Sequence, residues 1–113
     1  MVVGRGAELQ HVAFSCDDVF ACARAVRERG VPLLEIPGNY YDDLAARTEL
    51  EPAAIERMRE LGVLYDASGG GELLHFYTAM AGSVFFEVLE RRGGYEGYGA
   101  ANSPVRMAAQ RGG

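Results

Sequence analysis

Residues 83–94, SVFFEVLERRGG, constrain the fold more than any other stretch. Taken by twos, Phe85, Glu87 and Leu89 share one face of a strand, and Val84, Phe86 and Val88 share the other. Both faces are apolar, the pattern of a strand largely covered on both sides. Glu87 is the exception, because a buried carboxylate is costly unless a partner or a metal ion neutralises it. A metal ligand and an ion pair with Arg91 or Arg92 are the two explanations the sequence offers.

Other segments supply the rest of the sheet and its cover. LQHVAFSC (9–16) reads as a first strand, with Leu9, His11 and Ala13 on one face. A helix follows, capped by Asp17 or Asp18 and stopped by Gly30, with Val19, Ala23 and Val26 at helical spacing. VPLLEI (31–36) reads as a short second strand whose Pro32 suits an edge or a strand start. Residues 37–62 read as two helical pieces, the second opened by Pro52, striped by Ile55, Met58 and Leu61, and ended by Gly62. VLYD is a brief strand, ASGGG a turn, and ELLHFYTA (72–79) a strand with Leu73, His75 and Tyr77 on one face. The tail is Gly-rich and then holds one short helix. The expected fold is therefore α+β, a single βαβββ module with a helical insert, spanning residues 1–113 as one domain.

Composition removes several function classes. The net charge is −5 and the arginines are scattered among acids, so no basic footprint for nucleic acid is present. No apolar run approaches the roughly 20 residues that span a bilayer. The first ten residues lack the apolar stretch of a signal peptide, and a cytoplasmic protein is expected. Cys16 and Cys22, six apart, match no metal or redox spacing and read as small core residues or free thiols. Asp17–Asp18 and Asp42–Asp43 read as helix starts, where acids suit the dipole. The glycines at 93, 94, 97 and 99 open no helix in a βαβ context, so they are not a dinucleotide fingerprint.

The candidate chemistry lies on three strands. His11 and His75 are the chain's two histidines, and with Glu87 they have the composition of a 2-His-1-carboxylate set. Iron, zinc, nickel, cobalt and manganese all accept such donors. The bland alternative is that each is a hydrogen-bonded core residue. The tyrosines read as packing residues with a polar tip.

The stretches LQHVAFSCDDVFACARAVRERGVPLLEIPGNYYDDL, IERMRELGVLYD, ELLHFYT, VFFEVLERRGG and GYGAANS resemble, in register, the second half of 4-hydroxyphenylpyruvate dioxygenase and of hydroxymandelate synthase. Both are members of the vicinal-oxygen-chelate superfamily. The resemblance implies one βαβββ module that pairs with a second around a metal. It implies Fe(II) as the metal, His11 and Glu87 as ligands, and an aryl 2-oxo acid as the substrate. His75, Tyr77, Phe85, Tyr98 and Asn102 fall where the family contacts substrate. Several of these depart from the family pattern. His75 stands in place of Gln, Tyr77 and Tyr98 in place of Phe, and Ser103 in place of the Phe after Asn102. The family's remaining ligand histidine belongs to the preceding module, outside these residues. Three completions follow: a homodimer with two copies of His11 and Glu87, as in glyoxalase I; His75 as third ligand within one chain; or a larger assembly in which the chain is a non-catalytic half. A metal-free, bleomycin-resistance-type protein that sequesters a small molecule is the competing function.

Overall fold

In the computed structural model, residues 10–97 and 99–112 are described. Leu9 of the first expected strand and the candidate Tyr98 lie outside them. Strand β1 is Gln10–Ser15, followed by helices α1 (Val19–Glu28), α2 (Gly38–Arg47) and α3 (Pro52–Leu61). Strands β2 (Leu64–Ser68), β3 (Gly71–Tyr77) and β4 (Val84–Arg92) come next. A 3₁₀ turn (Ala100–Asn102) leads into helix α4 (Ser103–Gly112).

The four strands form one mixed sheet in the order β1-β4-β3-β2. β1 runs parallel to β4, and β4, β3 and β2 alternate antiparallel. The crossover from β1 is thus long enough to carry three helices. The expected α+β module is what forms, with the insert as α2 and α3.

The helices follow their sequence signals. Asp18 caps α1, its carboxylate accepting from the amides of Phe20 and Ala21 at 3.1 Å. Glu90 of β4 accepts from the Val19 amide at 3.0 Å and so ties the start of α1 to the sheet. Pro52 is the first residue of α3, Ile55, Met58 and Leu61 are buried, and Gly62 ends the helix at φ +69°. Asp42 and Asp43 do not start a helix. They lie inside α2 and pair with Arg59 and Arg47 on its surface.

VPLLEI is not a strand. Leu33 makes one isolated bridge to Thr78, with the Leu34 amide donating to the Tyr77 carbonyl at 2.8 Å. Pro32 and Pro37 bound the segment and neither has an N–H to extend a ladder.

The main core joins Val19, Phe20 and Ala23 of α1 to Leu74 and Phe76 of β3, and to the buried faces of α2 and α3. The opposite face of the sheet carries His11, Phe85, Glu87, His75 and Tyr77. Cover fails at the β1 end: all six β1 residues are exposed, and so is Phe86, whose ring lies 6.1 Å from that of Phe14. The expectation that β4 is covered on both faces holds for Phe85, Glu87 and Leu89 but not for Phe86.

Candidate functional site

Strand register builds the site. His11 is paired with Phe85 and Ala13 with Glu87 across β1 and β4, while Tyr77 is paired with Glu87 across β3 and β4. A period of two then sends His11, Glu87, His75 and Tyr77 to one face.

Glu87 sits at the centre with 3% of its surface exposed. Its Oε1 meets His11 Nε2 at 2.7 Å, and its Oε2 meets His75 Nδ1 at 2.8 Å. Burial works against its ionisation, but the two imidazoles, His75 ahead of His11, outweigh it and hold the carboxyl below its ordinary value. The arginine pairing considered from sequence is absent among the described residues. Arg92 binds Glu90 at 2.6 Å, and Arg91 donates to the Gly97 carbonyl at 3.2 Å.

Behind Glu87 the polar groups continue inward. An ionised carboxylate can only accept, so His75 donates from Nδ1 and its Nε2 is the acceptor. Asn102 Nδ2 lies 3.0 Å from that Nε2 and also donates to the Tyr65 carbonyl at 3.1 Å. The Tyr40 hydroxyl lies 3.1 Å from Asn102 Oδ1 and accepts from the Tyr65 amide at 2.9 Å. His75 is fully buried, and this chain of partners fixes the orientation of its ring, Nδ1 toward Glu87 and Nε2 toward Asn102. Gly99 makes room for it: a Cβ there would come within 2.9 Å of His75 Cε1.

His11 faces outward, with 44% of its side chain exposed. Its ring stacks on Phe85 at 4.7 Å and 15°, and Tyr77 lies edge-on to both Phe85 and His75. Burial, then the charge of Glu87, pushes the Tyr77 hydroxyl well above its usual range, so it is a neutral hydroxyl and not a base. A cleft of about 200 Å³ opens along His11, Glu87, Ser15, Leu89 and Arg91. A larger one of about 470 Å³ lies between residues 32–36 and the end of α3, away from both histidines.

The residues fit half of a metal site. His11 Nε2 and Glu87 Oε1 are an imidazole nitrogen and a carboxylate oxygen, converging from adjacent strands at an open edge, a donor pair suited to Fe(II), Zn(II) and their neighbours. Among the described residues no group of three or more His, Cys, Asp and Glu side chains is arranged to hold a metal. His75 does not stand beside the other two as a free donor: both its ring nitrogens face protein partners. Cys16 and Cys22 are free, and burial, then Cys22, pushes the Cys16 thiol up to about 12, so it stays protonated.

Sequence reasoning brought together His11, Glu87, His75, Tyr77, Phe85 and Asn102, and all six lie in this cluster. It passed over Tyr40, read only as a packing residue, and Arg106 of α4, whose guanidinium lies 4.9 Å from the centre of the Phe85 ring.

The fold and this face define a module of the vicinal-oxygen-chelate kind, and the comparisons say which. No family model matches the chain. A 3-dehydroshikimate dehydratase of Pseudomonas aeruginosa is 51% identical over 107 residues, 93% of this chain. The 4-hydroxyphenylpyruvate dioxygenase of the same organism is 35% identical over 100 residues, 86% of this chain. Among solved structures, a xylose isomerase-like TIM barrel/4-hydroxyphenylpyruvate dioxygenase fusion protein matches 92% of the chain at 48% identity, with a TM-score of 0.88. A variant of 4-hydroxymandelate synthase from Streptomyces coelicolor matches 91% at 36% identity, with a TM-score of 0.79. Over nearly its whole length the chain thus resembles a module shared by proteins named 4-hydroxyphenylpyruvate dioxygenase and 4-hydroxymandelate synthase. It spans 17% of the dehydratase and 28% of the dioxygenase. The dehydratase relation was not legible in the sequence.

Proposed function

We propose that the chain is the ligand-bearing half of a metal-dependent enzyme of this family, acting on a small-molecule substrate. The observation that carries the reading is the buried Glu87 set against the outward-facing His11 at the open edge of the sheet. These two side chains would hold a divalent ion, Fe(II) by resemblance to the dioxygenases, with the remaining ligands supplied by a second module. A bound Fe(II) in a site with open positions supplies oxygen chemistry on a chelating substrate, and a redox-inert ion supplies Lewis acidity. The chain's own groups do the rest. His75, Asn102 and Tyr40 hold Glu87 in one orientation, and Phe85 and Tyr77 form an aromatic wall beside His11. An aryl 2-oxo acid fits the family and the wall.

The dehydratase and the fusion protein are each matched over only 17% of their length. A barrel of the kind named in the fusion protein needs eight parallel strands, each followed by a helix, and this sheet has one parallel pair among four strands. Within the fusion protein the four-stranded sheet therefore favours the dioxygenase-named portion as the counterpart of this chain. A second reading, a metal-free sequestering module, is favoured by the direct 2.7 Å contact of His11 with Glu87.

Oxygen uptake separates them. Protein given Fe(II) anaerobically and then 4-hydroxyphenylpyruvate in air is expected to consume oxygen, and Glu87→Gln to abolish the uptake. Uptake by neither, with Fe(II) failing to bind, would leave the sequestering module as the better reading.

A further inference from the structure

The glycine-rich stretch after β4 is spaced around one side chain, that of Tyr95. Tyr95 is buried and packs on Leu73 of β3 and Leu89 of β4. Each of these lies two residues along its strand from His75 or Glu87, on the same face of the sheet. Glycine clears the seat on two sides. A Cβ on Gly71 would run into the Tyr95 backbone, and one on Gly97 would come to 2.7 Å from the Tyr95 hydroxyl. That hydroxyl has partners of its own. It donates to Asp66 Oδ2 of β2 at 2.6 Å and accepts from the Gly99 amide at 3.1 Å. The first is the short distance of a charge-assisted bond, and donation to a carboxylate makes the same oxygen a better acceptor.

Gly99 reaches His75 by two routes. It packs directly on the imidazole, which leaves no room for a Cβ. Its carbonyl also accepts from the Asn102 amide at 2.9 Å, and so sets the 3₁₀ turn that aims Asn102 Nδ2 at His75 Nε2. His75 Nδ1 in turn meets Glu87 Oε2. The link from Tyr95 to Glu87 therefore runs through Gly99, Asn102 and His75. A side chain that only filled the space over Leu73 and Leu89 would need no hydroxyl, and a phenylalanine would serve. Here the hydroxyl ties β2 to the residue that abuts the imidazole.

We propose that Tyr95, held by Asp66, is a positioning residue of this centre: it fixes Gly99 against His75 and through that imidazole sets the aim of the Glu87 carboxylate. The inference deepens the proposed function, and it rests on that reading only for the metal that Glu87 would face. The hold on His75 does not need a metal.

The test uses the full chain and two readouts, the ¹⁵N imidazole resonances of His75 in metal-free protein and Co(II) affinity from absorption titrations. Tyr95→Phe is expected to shift the His75 resonances and to weaken Co(II) binding by about threefold to tenfold, less than the roughly 10–100-fold lost with a direct partner of a ligand. Asp66→Leu should do the same. Asp66→Asn, whose amide oxygen still accepts from the hydroxyl, should stay close to wild type. Tyr41→Phe is the control. The Tyr41 hydroxyl donates to the Val63 carbonyl at 2.9 Å, so its loss should lower the urea midpoint and move neither readout. Wild-type values of both readouts in Tyr95→Phe and Asp66→Leu, or equal changes in Tyr41→Phe, would overturn the proposal. If the wild type takes up no Co(II) while Tyr95→Phe still moves the His75 resonances, the metal reading falls and the hold on His75 stands. Co(II) bound alike by wild type and Tyr95→Phe, with His75 unmoved, would do the reverse.

Discussion

Glu87 has two carboxylate oxygens, and each meets one imidazole, an outer one that is 44% exposed and an inner one that is fully buried. In the proposed function that asymmetry makes His75 a positioning residue. Removing its donor leaves a buried oxygen unmatched, so His75→Leu is expected to cost about 3 kcal/mol. His75→Gln, which keeps an N–H in reach, should cost less than half of that. Urea denaturation of both variants checks this, and equal losses would show that volume rather than the hydrogen bond matters. Gly99 is constrained by the same imidazole. Its φ of +71° and the 2.9 Å approach of a Cβ to both His75 and Leu73 predict that Gly99→Ala costs about 1–2 kcal/mol. A change in the His75 ring resonances should accompany the loss.

At the scale of elements, local signals were read well and lateral ones poorly. Pro52, the Ile55–Met58–Leu61 stripe and Gly62 specify α3 without reference to anything else, and the structure places it accordingly. Asp18 is similar, and Asp18→Ala is expected to lower stability by about 1 kcal/mol, seen as a drop of roughly 4 °C or more in Tm. An unchanged Tm would mean that Glu90, which also binds the first turn, suffices alone. VPLLEI fails as a strand because strandhood depends on a neighbour, and prolines at 32 and 37 remove the donors a neighbour would need. Candidate site residues were legible where one residue type is rare and misplaced, as with Glu87 and the two histidines. Tyr40 and Arg106 were not, since nothing in their neighbourhood along the chain distinguishes a tyrosine or arginine that packs from one that reaches a distant partner.

Across the whole molecule the tyrosines and the bare β1 edge set the behaviour. Burial, then the hydrogen bond to Glu72, pushes Tyr65 up from 10.0 to about 12, and burial raises Tyr40, Tyr41 and Tyr77 as well. A group whose folded pKa is raised holds its proton more tightly when folded. Stability from these hydroxyls is therefore complete below pH 10 and falls as the pH rises from 10 through 12. Denaturation midpoints at pH 8, 10 and 11 should decline only over the upper interval, with tyrosinate absorbance rising as the chain unfolds. The β1 edge argues for company. Val12 and Phe14 are 40% and 53% exposed on an edge strand that pairs with β4 on one side only among the described residues and also carries His11, and such edges are normally covered. The second module that the proposed function calls for is the cover we propose for this edge.

The claim that His11 and Glu87 are half of a metal site is tested most directly by elemental analysis and molar mass on one sample of untagged protein after anaerobic loading with Fe(II) and removal of the excess. The account predicts one ion for each pair of chains in the wild type, and none in His11→Ala or Glu87→Gln at unchanged far-UV circular dichroism. No bound metal in the wild type, or metal retained in Glu87→Gln, would contradict it.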